Sequence, residues 1–222
     1  MQIHVINEAN RHLYGAELEA FFKARHRIYV EEKEWRDDDG TGLEIDQFDT
    51  PEATYLIGME NDDVITGTRL IPTSAPHMLS EVFPHLCTFQ GVLRADDVAE
   101  WTRGFIVPEY RERGIGPIKG QICGTVMEYC LKEGVGRIGG IQDLYFLPVW
   151  KRYKWAVRPA GNPELVAGRW CVAAFFDVTA DARDRALDAA GLDHSILVHR
   201  GPYQPFVPQR DIRLPGSDQH AA

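Results

Sequence analysis

Charged side chains stand at positions where this chain's helices and strands should bury apolar ones. From Gly15 to about Val30, Leu18, Phe21, Phe22, Arg25, Ile28 and Tyr29 recur at helical spacing, which puts Arg25 on the face meant for a core. Arg69 alternates with Thr68 and Leu70 inside VITGTRLIPT, and Glu100 and Arg103 flank Trp101 in AEWTRGFIV, which reads as a central strand ended by Pro108. Asp46 and Asp49 sit in LEIDQFD, where Ile45 and Phe48 alternate with them. A buried guanidinium or carboxylate is costly unless paired, and losing one partner commonly costs about 3–5 kcal/mol. These groups therefore imply one shared network, and the fold must bring a helix, a loop and two strands to a common point.

The remaining segments supply the frame. QIHVI, at 2 to 6, alternates as a first strand; TYLIGME and VITGTRLIPT form a hairpin about a turn at Asn61, Asp62 and Asp63; MLSEVF is a short amphipathic piece. Pro117 and Ile118 open a helix whose buried face carries Ile122, Val126, Tyr129 and Cys130. A strand near Gly136 to Gln142, a short helix around PVWKRYKW, a strand near Trp170 to Asp177 and a helix TADARDRALDAAG capped by Thr179 complete the order. This order suggests an α/β (α+β) fold, a single domain over 1–200 with one mixed, twisted sheet and helices on both faces. The proline-bearing segment 201–222 reads as an extended or loose tail.

Composition narrows the partners. With 33 acidic against 24 basic residues and a formal net charge of −9, neither nucleic acid nor an anionic membrane is the expected partner. Any anionic ligand needs a local basic site. Cys87, Cys123, Cys130 and Cys171 form no C-x-x-C pair, no His or Cys cluster has metal spacing, and the thiols read as reduced core residues. MQIHVINEANRHL has no basic region followed by an apolar one, and no apolar run approaches ~18 residues, so the expectation is a cytoplasmic protein. The acidic segment 31 to 53 is too long for a simple connection; loops of that length usually work or are disordered, and Trp35 and Phe48 argue against disorder.

The charge cluster has two readings: a structural set of ion pairs pinning the long loop to the sheet, or a polar pocket for a small zwitterion with a general base. The order Arg25, Tyr29, Trp35, then Glu44, Asp46, Phe48 and Asp49 as E-x-D-x-F-D, Arg69 in GTRLI, Phe83 in MLSEVFPHL, and Glu100 with Arg103 in EWTRGFIV resembles the acyl-homoserine-lactone synthases. These are the autoinducer synthases of bacterial quorum sensing. The resemblance covers residues 20 to 110 and continues weakly to about 200, with Tyr29 where the family usually has Phe.

The resemblance implies a GNAT-like fold and two substrates, S-adenosylmethionine (SAM) and an acyl thioester, with no tightly bound cofactor. The SAM amine attacks the acyl carbonyl; the SAM carboxylate then attacks its own γ-carbon, closes the lactone and expels methylthioadenosine. An amine is nucleophilic only when deprotonated, which suits Glu100 as general base. The SAM carboxylate wants an Arg fork from Arg103 or Arg69, and the sulfonium an aromatic face, Trp35 with Tyr29 and Phe105 nearby. Asp46 and Asp49 take the amine end or hold the arginines, while Arg25, Arg69 and Asp49 serve mainly as the supporting ion-pair network.

Between that strand and that helix, Arg111, Gly114 and Gly116 make R-x-x-G-x-G. Backbone N–H groups in a glycine nest at a helix N-terminus bind phosphate well, and Arg113 adds charge. The pattern favours acyl-CoA, with its pyrophosphate at Arg111, Arg113, Gly114 and Gly116, over acyl carrier protein; an ordinary strand-to-helix turn is the bland alternative. A carrier-protein dock would need surface cations, for which Lys151, Arg152 and Lys154 are candidates. The acyl chamber is expected at Phe83, Leu144, Tyr145, Phe146 and Trp150, where bulky rings and the lack of the threonine associated with 3-oxo chains point to a short, branched or aryl group. A GNAT-type N-acyltransferase for another amine, and a catalytically silent SAM- or CoA-binding regulator, are the competing functions.

Overall fold

A computed structural model describes residues 1–111 and 116–208. The chain runs β1 (Gln2–Ile6), α1 (Gly15–His26), β2 (Thr54–Glu60), β3 (Asp63–Pro72), α2 (Met78–Glu81), β4 (Val98–Ile106), α3 (Pro117–Lys132) and β5 (Arg137–Asp143). It continues through α4 (Leu147–Arg152), β6 (Val157–Pro159), β7 (Glu164–Val166), β8 (Arg169–Asp177), α5 (Ala180–Ala190) and β9 (Leu197–His199). The helix expected to reach Val30 instead widens after His26 into a π-helical turn over Arg27–Glu32. Among the described residues the strands form one mixed sheet in the order β6-β8-β5-β4-β3-β2-β1-β9, with β7 also on β8.

Strand alternation sorts the core into two layers. Val5, Leu56 and Leu70 face α3 and α5, whereas their neighbours Ile6, Ile57 and Ile71 face the layer built on Phe21 and Phe22 of α1. Helices thus cover both faces, as the element order suggested. Thr179 caps α5 by accepting the Ala182 N–H at 3.1 Å, and Gly191 ends that helix in the left-handed conformation. All four cysteines are free and buried.

Two irregularities in β4 shape the site. β4 and β5 are parallel and pair only from Val98↔Arg137 to Glu100↔Gly139, yet both strands continue, so they part beyond Glu100. Gly140 stands at the parting with φ +149, and a Cβ there would come within 3.2 Å of the Trp101 carbonyl oxygen. On the other edge of β4 the register with β3 shifts between Gly67↔Phe105 and Arg69↔Thr102. Arg103 lies in that bulge at φ 55, a left-handed conformation that costs a non-glycine residue of order 1–3 kcal/mol.

Three strands escaped the sequence reading, β6, β7 and β9. The described part of the segment read as a loose tail lies against the body: Phe206 is buried, its N–H donating to Glu133 at 2.9 Å, and its ring meets Tyr129 edge-on.

Candidate active site

The charged side chains meet beneath the long loop. Arg25, on the last turn of α1, donates from Nε to Glu44 at 2.6 Å and from Nη1 and Nη2 to the two oxygens of Asp49 at 2.7 and 2.9 Å. Arg69, on β3, donates from Nη1 to Asp46 and Asp49 at 2.6 and 2.8 Å, with its Nε 3.3 Å from the Thr102 hydroxyl on β4. Arg103 donates to Glu44 at 3.0 Å and pairs with Asp46 at 2.7 Å. The loop's own backbone closes the set, since Asp49 accepts the Asp46 N–H at 2.7 Å and the Tyr55 hydroxyl donates to Asp49 at 2.9 Å.

The network is layered. Side chains of Arg25 and Arg69 are 0% exposed, Glu44 and Asp49 nearly so, while Asp46 and Arg103 form its outer pair at 8% and 10%. Burial alone would lower Arg69 and raise Asp49; instead Asp49 and Asp46 hold Arg69 above its ordinary value, and Arg25 with Arg69 holds Asp49 below its own. Glu44 is lowered in the same way, its burial outweighed by Arg25 and Arg103. A carboxylate depressed on folding contributes stability that is fully present above its unfolded pKa of about 3.9–4.3 and is lost as pH falls through the lower folded value. The contribution of these carboxylates is therefore fully present above about pH 5, and urea unfolding should show stability falling steadily below about pH 4. A flat profile down to pH 3 would refute this linkage.

The bulge supplies the outer arginine. Tyr29 donates its hydroxyl to the Gly104 carbonyl at 2.8 Å, and the Arg103 guanidinium lies 5.2 Å from the Tyr29 ring centre. Burial pushes the Tyr29 phenol up to about 12, so it remains a donor at neutral pH. Beyond it Trp35 stacks on Tyr29 at 5.3 Å between ring centres. Trp35 is 44% exposed, so it is not buried in the manner expected of a residue pinning the loop; Phe48 does that work, while Ile45 points outward. The Lys33 ammonium already rests on this aromatic pair, 4.3 Å from Trp35 and 4.8 Å from Tyr29.

Glu100 lies one alternation from Thr102 on the same side of β4 and is wholly buried. Its two oxygens accept the N–H groups of Met78 and Leu79 at 2.8 and 2.7 Å, so the carboxylate holds the start of α2. Burial raises its pKa, opposed by those two N–H groups.

Other expected residues are dispersed. Phe105 packs against Phe21, 5.5 Å between ring centres, in the core layer that also holds Tyr29. Arg111 donates to the Ile106 carbonyl at 2.7 Å and pairs with Glu32 at 2.5 Å. Gly116 precedes α3 in extended conformation, and Arg113 and Gly114 lie outside the described residues. Of the expected acyl chamber, Phe146 and Trp150 pack with Trp101 and Trp155, Phe83 belongs to a different cluster with Leu79 and Phe175, and Tyr145 is 64% exposed. Leu144 sits at the end of β5 in partial contact with solvent. Tyr145, Phe146 and Trp150 follow one another in ring contact, 5.5 and 6.0 Å between centres.

The sequence reading gave no role to Glu44, which joins Arg25, Arg103 and Arg36, and it passed over Arg36 and Lys33. Among the described residues no group of His, Cys, Asp and Glu could hold a metal ion, and no helix is long and apolar enough to cross a membrane.

The frame is a GNAT-like fold: at 18% identity, a crystal structure of a putative N-acetyltransferase from Lactobacillus plantarum matches 81% of this chain and 100% of its own with a TM-score of 0.54, a likeness of fold alone. The autoinducer synthase family model matches residues 9–186, and the chain belongs to that family, an acyltransferase of the acyl-homoserine-lactone synthase kind. The isovaleryl-homoserine lactone synthase of Bradyrhizobium diazoefficiens is 38% identical over 214 residues, 95% of this chain and 94% of that protein. A solved structure described as a CoA-dependent acyl-homoserine lactone synthase, BjaI, with SAM and isopentyl-CoA is 37% identical, with a TM-score of 0.86 over 93% of this chain and 96% of its own.

Proposed function

We propose that this protein acylates the amine of SAM from an acyl-CoA, lactonises the product and releases methylthioadenosine, with Asp46 and Arg103 receiving the amino-acid end of SAM. One observation carries the residue assignment: Asp46 and Arg103 form an outer ion pair over the buried Arg25, Arg69, Glu44 and Asp49, next to an aromatic pair that already holds a cation. A zwitterion can exchange partners with such a pair, its ammonium going to Asp46 and its carboxylate to the Arg103 fork. Arg69 is too deeply buried for that second role and supports Asp46 from beneath. The sulfonium then lies by Tyr29 and Trp35, where cation–π attraction favours it.

The chemistry follows from charge. Glu100 takes the proton from the SAM ammonium, directly or through water, and the free amine attacks the thioester carbonyl; the C–S bond breaks, the extra proton on the attacking nitrogen passes to the departing sulfur, and CoA leaves as its thiol. The SAM carboxylate then attacks the γ-carbon, the bond from that carbon to the sulfonium breaks, and neutral methylthioadenosine departs. The relative's isovaleryl name and the bulky rings at Phe146 and Trp150 support a short branched acyl group. The parting of β4 and β5 supports a thioester arm entering between them.

Purified protein given SAM with isovaleryl-CoA or with isovaleryl-acyl carrier protein should release methylthioadenosine and acyl-homoserine lactone with the CoA donor, read by mass spectrometry. Turnover on the carrier-protein donor lower by several orders of magnitude is the expected contrast; the reverse would move the donor to a protein docked at the exposed Lys151, Arg152 and Lys154. Acyl transfer to another amine without methylthioadenosine would identify a plain N-acyltransferase.

A further inference from the structure

His26 follows Arg25 in the last turn of α1, buried but outside the ion-pair network. Each of its ring nitrogens meets a carboxylate: Nδ1 lies 3.1 Å from Glu31 in the π-helical turn, and Nε2 lies 3.1 Å from Asp38 in the long loop. A neutral imidazole carries one N–H, so it donates to one of these acids and turns a lone pair on the other. Both contacts are hydrogen bonds only when the ring is an imidazolium. In keeping with this, Asp38 first and Glu31 second raise the His26 pKa against the opposing effect of burial. Asp39, next to Asp38, is a further acid within electrostatic reach. The neighbouring cations are engaged elsewhere: Lys23 with Glu19, Arg25 with Glu44 and Asp49, Arg27 with Glu109, and Arg36 with Glu44.

The two acids mark the ends of one span of chain. It leaves the imidazole at Glu31 and returns to the same ring at Asp38, so His26 closes the span 31–38 on itself. Trp35 lies inside that span, stacked on Tyr29 at 5.3 Å between ring centres yet 44% exposed. The backbone adds one bond there, from the Trp35 N–H to the Tyr29 carbonyl at 2.9 Å, and a ring that open depends on how its span is fastened. We propose that His26, as an imidazolium, is a positioning residue: by holding Glu31 and Asp38 together it keeps Trp35 over Tyr29, where the sulfonium of SAM is received. The inference rests on the SAM reading above and adds a proton to it, because the clasp is complete only while His26 is charged. A histidine whose pKa is raised by such contacts keeps their stabilisation in full below its unfolded value of about 6.5. It loses that stabilisation as pH rises through the higher folded value.

Calorimetric SAM affinity, measured at pH 6 and pH 9 in wild type and D38N, tests it. The asparagine amide can donate to a neutral ring, so in D38N the clasp survives without the proton. Between the two pH values wild-type affinity should therefore fall about tenfold more than that of D38N, as expected for one charge-assisted hydrogen bond. The SAM amine, at about 7.7–8.0 for an α-amine, and Lys33, pushed down to about 8 by burial, titrate in the same interval. Both are common to the two proteins and cancel in the comparison. H26Q, which like a neutral ring donates on one side only, should bind SAM about tenfold more weakly than wild type at pH 6. H26R, charged throughout, should restore that affinity and remove the extra pH dependence. Nitrogen NMR should place the His26 titration midpoint lower in D38N than in wild type. Thermal unfolding of each variant separates a lost clasp from a lost fold, and D38N, which alters a side chain 59% exposed, keeps the test open if H26Q fails to fold. Parallel pH profiles in wild type and D38N, or H26Q affinity equal to wild type at pH 6, would overturn the role of His26 while leaving the SAM reading intact. Failure of wild-type protein to bind SAM at either pH would remove both.

Discussion

Replacing Arg69 with methionine should cost the folded protein about 3–5 kcal/mol, most of a typical domain's margin of stability. The methionine fills much of the same space, so packing is not the main loss. What is lost is the donor that holds Asp46 at 2.6 Å and Asp49 at 2.8 Å, leaving Asp46 with Arg103 at 2.7 Å, a longer pair to Arg25 at 3.9 Å and the Phe48 N–H at 2.9 Å. Urea unfolding measures the effect, and poor soluble yield is its cruder sign. Arg36→Met offers the contrast, because Arg36 also meets Glu44 at 3.1 Å but is 42% exposed and should cost no more than about 1 kcal/mol. A loss at Arg69 as small as that at Arg36 would mean that water reaches the network, and the layered description of the site would be wrong.

Glu100→Gln should lower turnover by about 10²–10⁴ with SAM affinity changed only a few-fold. Glutamine keeps one oxygen to accept one of the two N–H groups bound at 2.7 and 2.8 Å, while its NH2 faces the other, so thermal unfolding of the variant is measured beside its turnover. It cannot accept a proton from an ammonium. The pH dependence gives a second signature. Burial raises the Glu100 pKa, and a base works only when deprotonated, so wild-type turnover should decline as pH falls through a value above the ordinary carboxylate range. That limb should be missing from the residual activity of the variant. Turnover within tenfold of wild type would remove Glu100 as the base, and SAM binding lost in parallel with activity would make its role structural.

The elements legible in the sequence were those with a period or a cap. Alternation identified β1 and the β2–β3 hairpin, helical spacing identified α3, and Thr179 marked the start of α5. β6, β7 and β9 contain three residues each, too few to show a period of two, and their pairing is decided by β8 and β1, which already lie beside them. The site was legible where charge interrupts an apolar face, at Arg25, Arg69 and Glu100. Partner choice was not. Glu44, Asp46 and Asp49 occupy similar positions in the loop, and only the folded geometry separates a sealed Asp49 from an outward Asp46. Lys33 lay hidden in an acidic run, where a lysine reads as a solvated charge; its place across the neighbouring Tyr29 and Trp35 rings is a property of the folded turn. The left-handed Arg103 was likewise invisible, because a bulge is a property of two strands together.

The sheet order also carries a consequence for how the molecule is made. Of the strands described here β1 leaves the ribosome before the others, and its inner edge can pair with β2 once the hairpin has been synthesised. Its outer edge takes β9, with Ile3 opposite Leu197, so that row of backbone donors and acceptors waits for nearly the whole chain. A long closure of this kind is slow to form and leaves an open strand edge in the nascent protein. The last described segment, with Phe206 docked against Tyr129 and Gln204 accepting the Ala9 N–H at 3.2 Å, then fastens over the turn that follows β1.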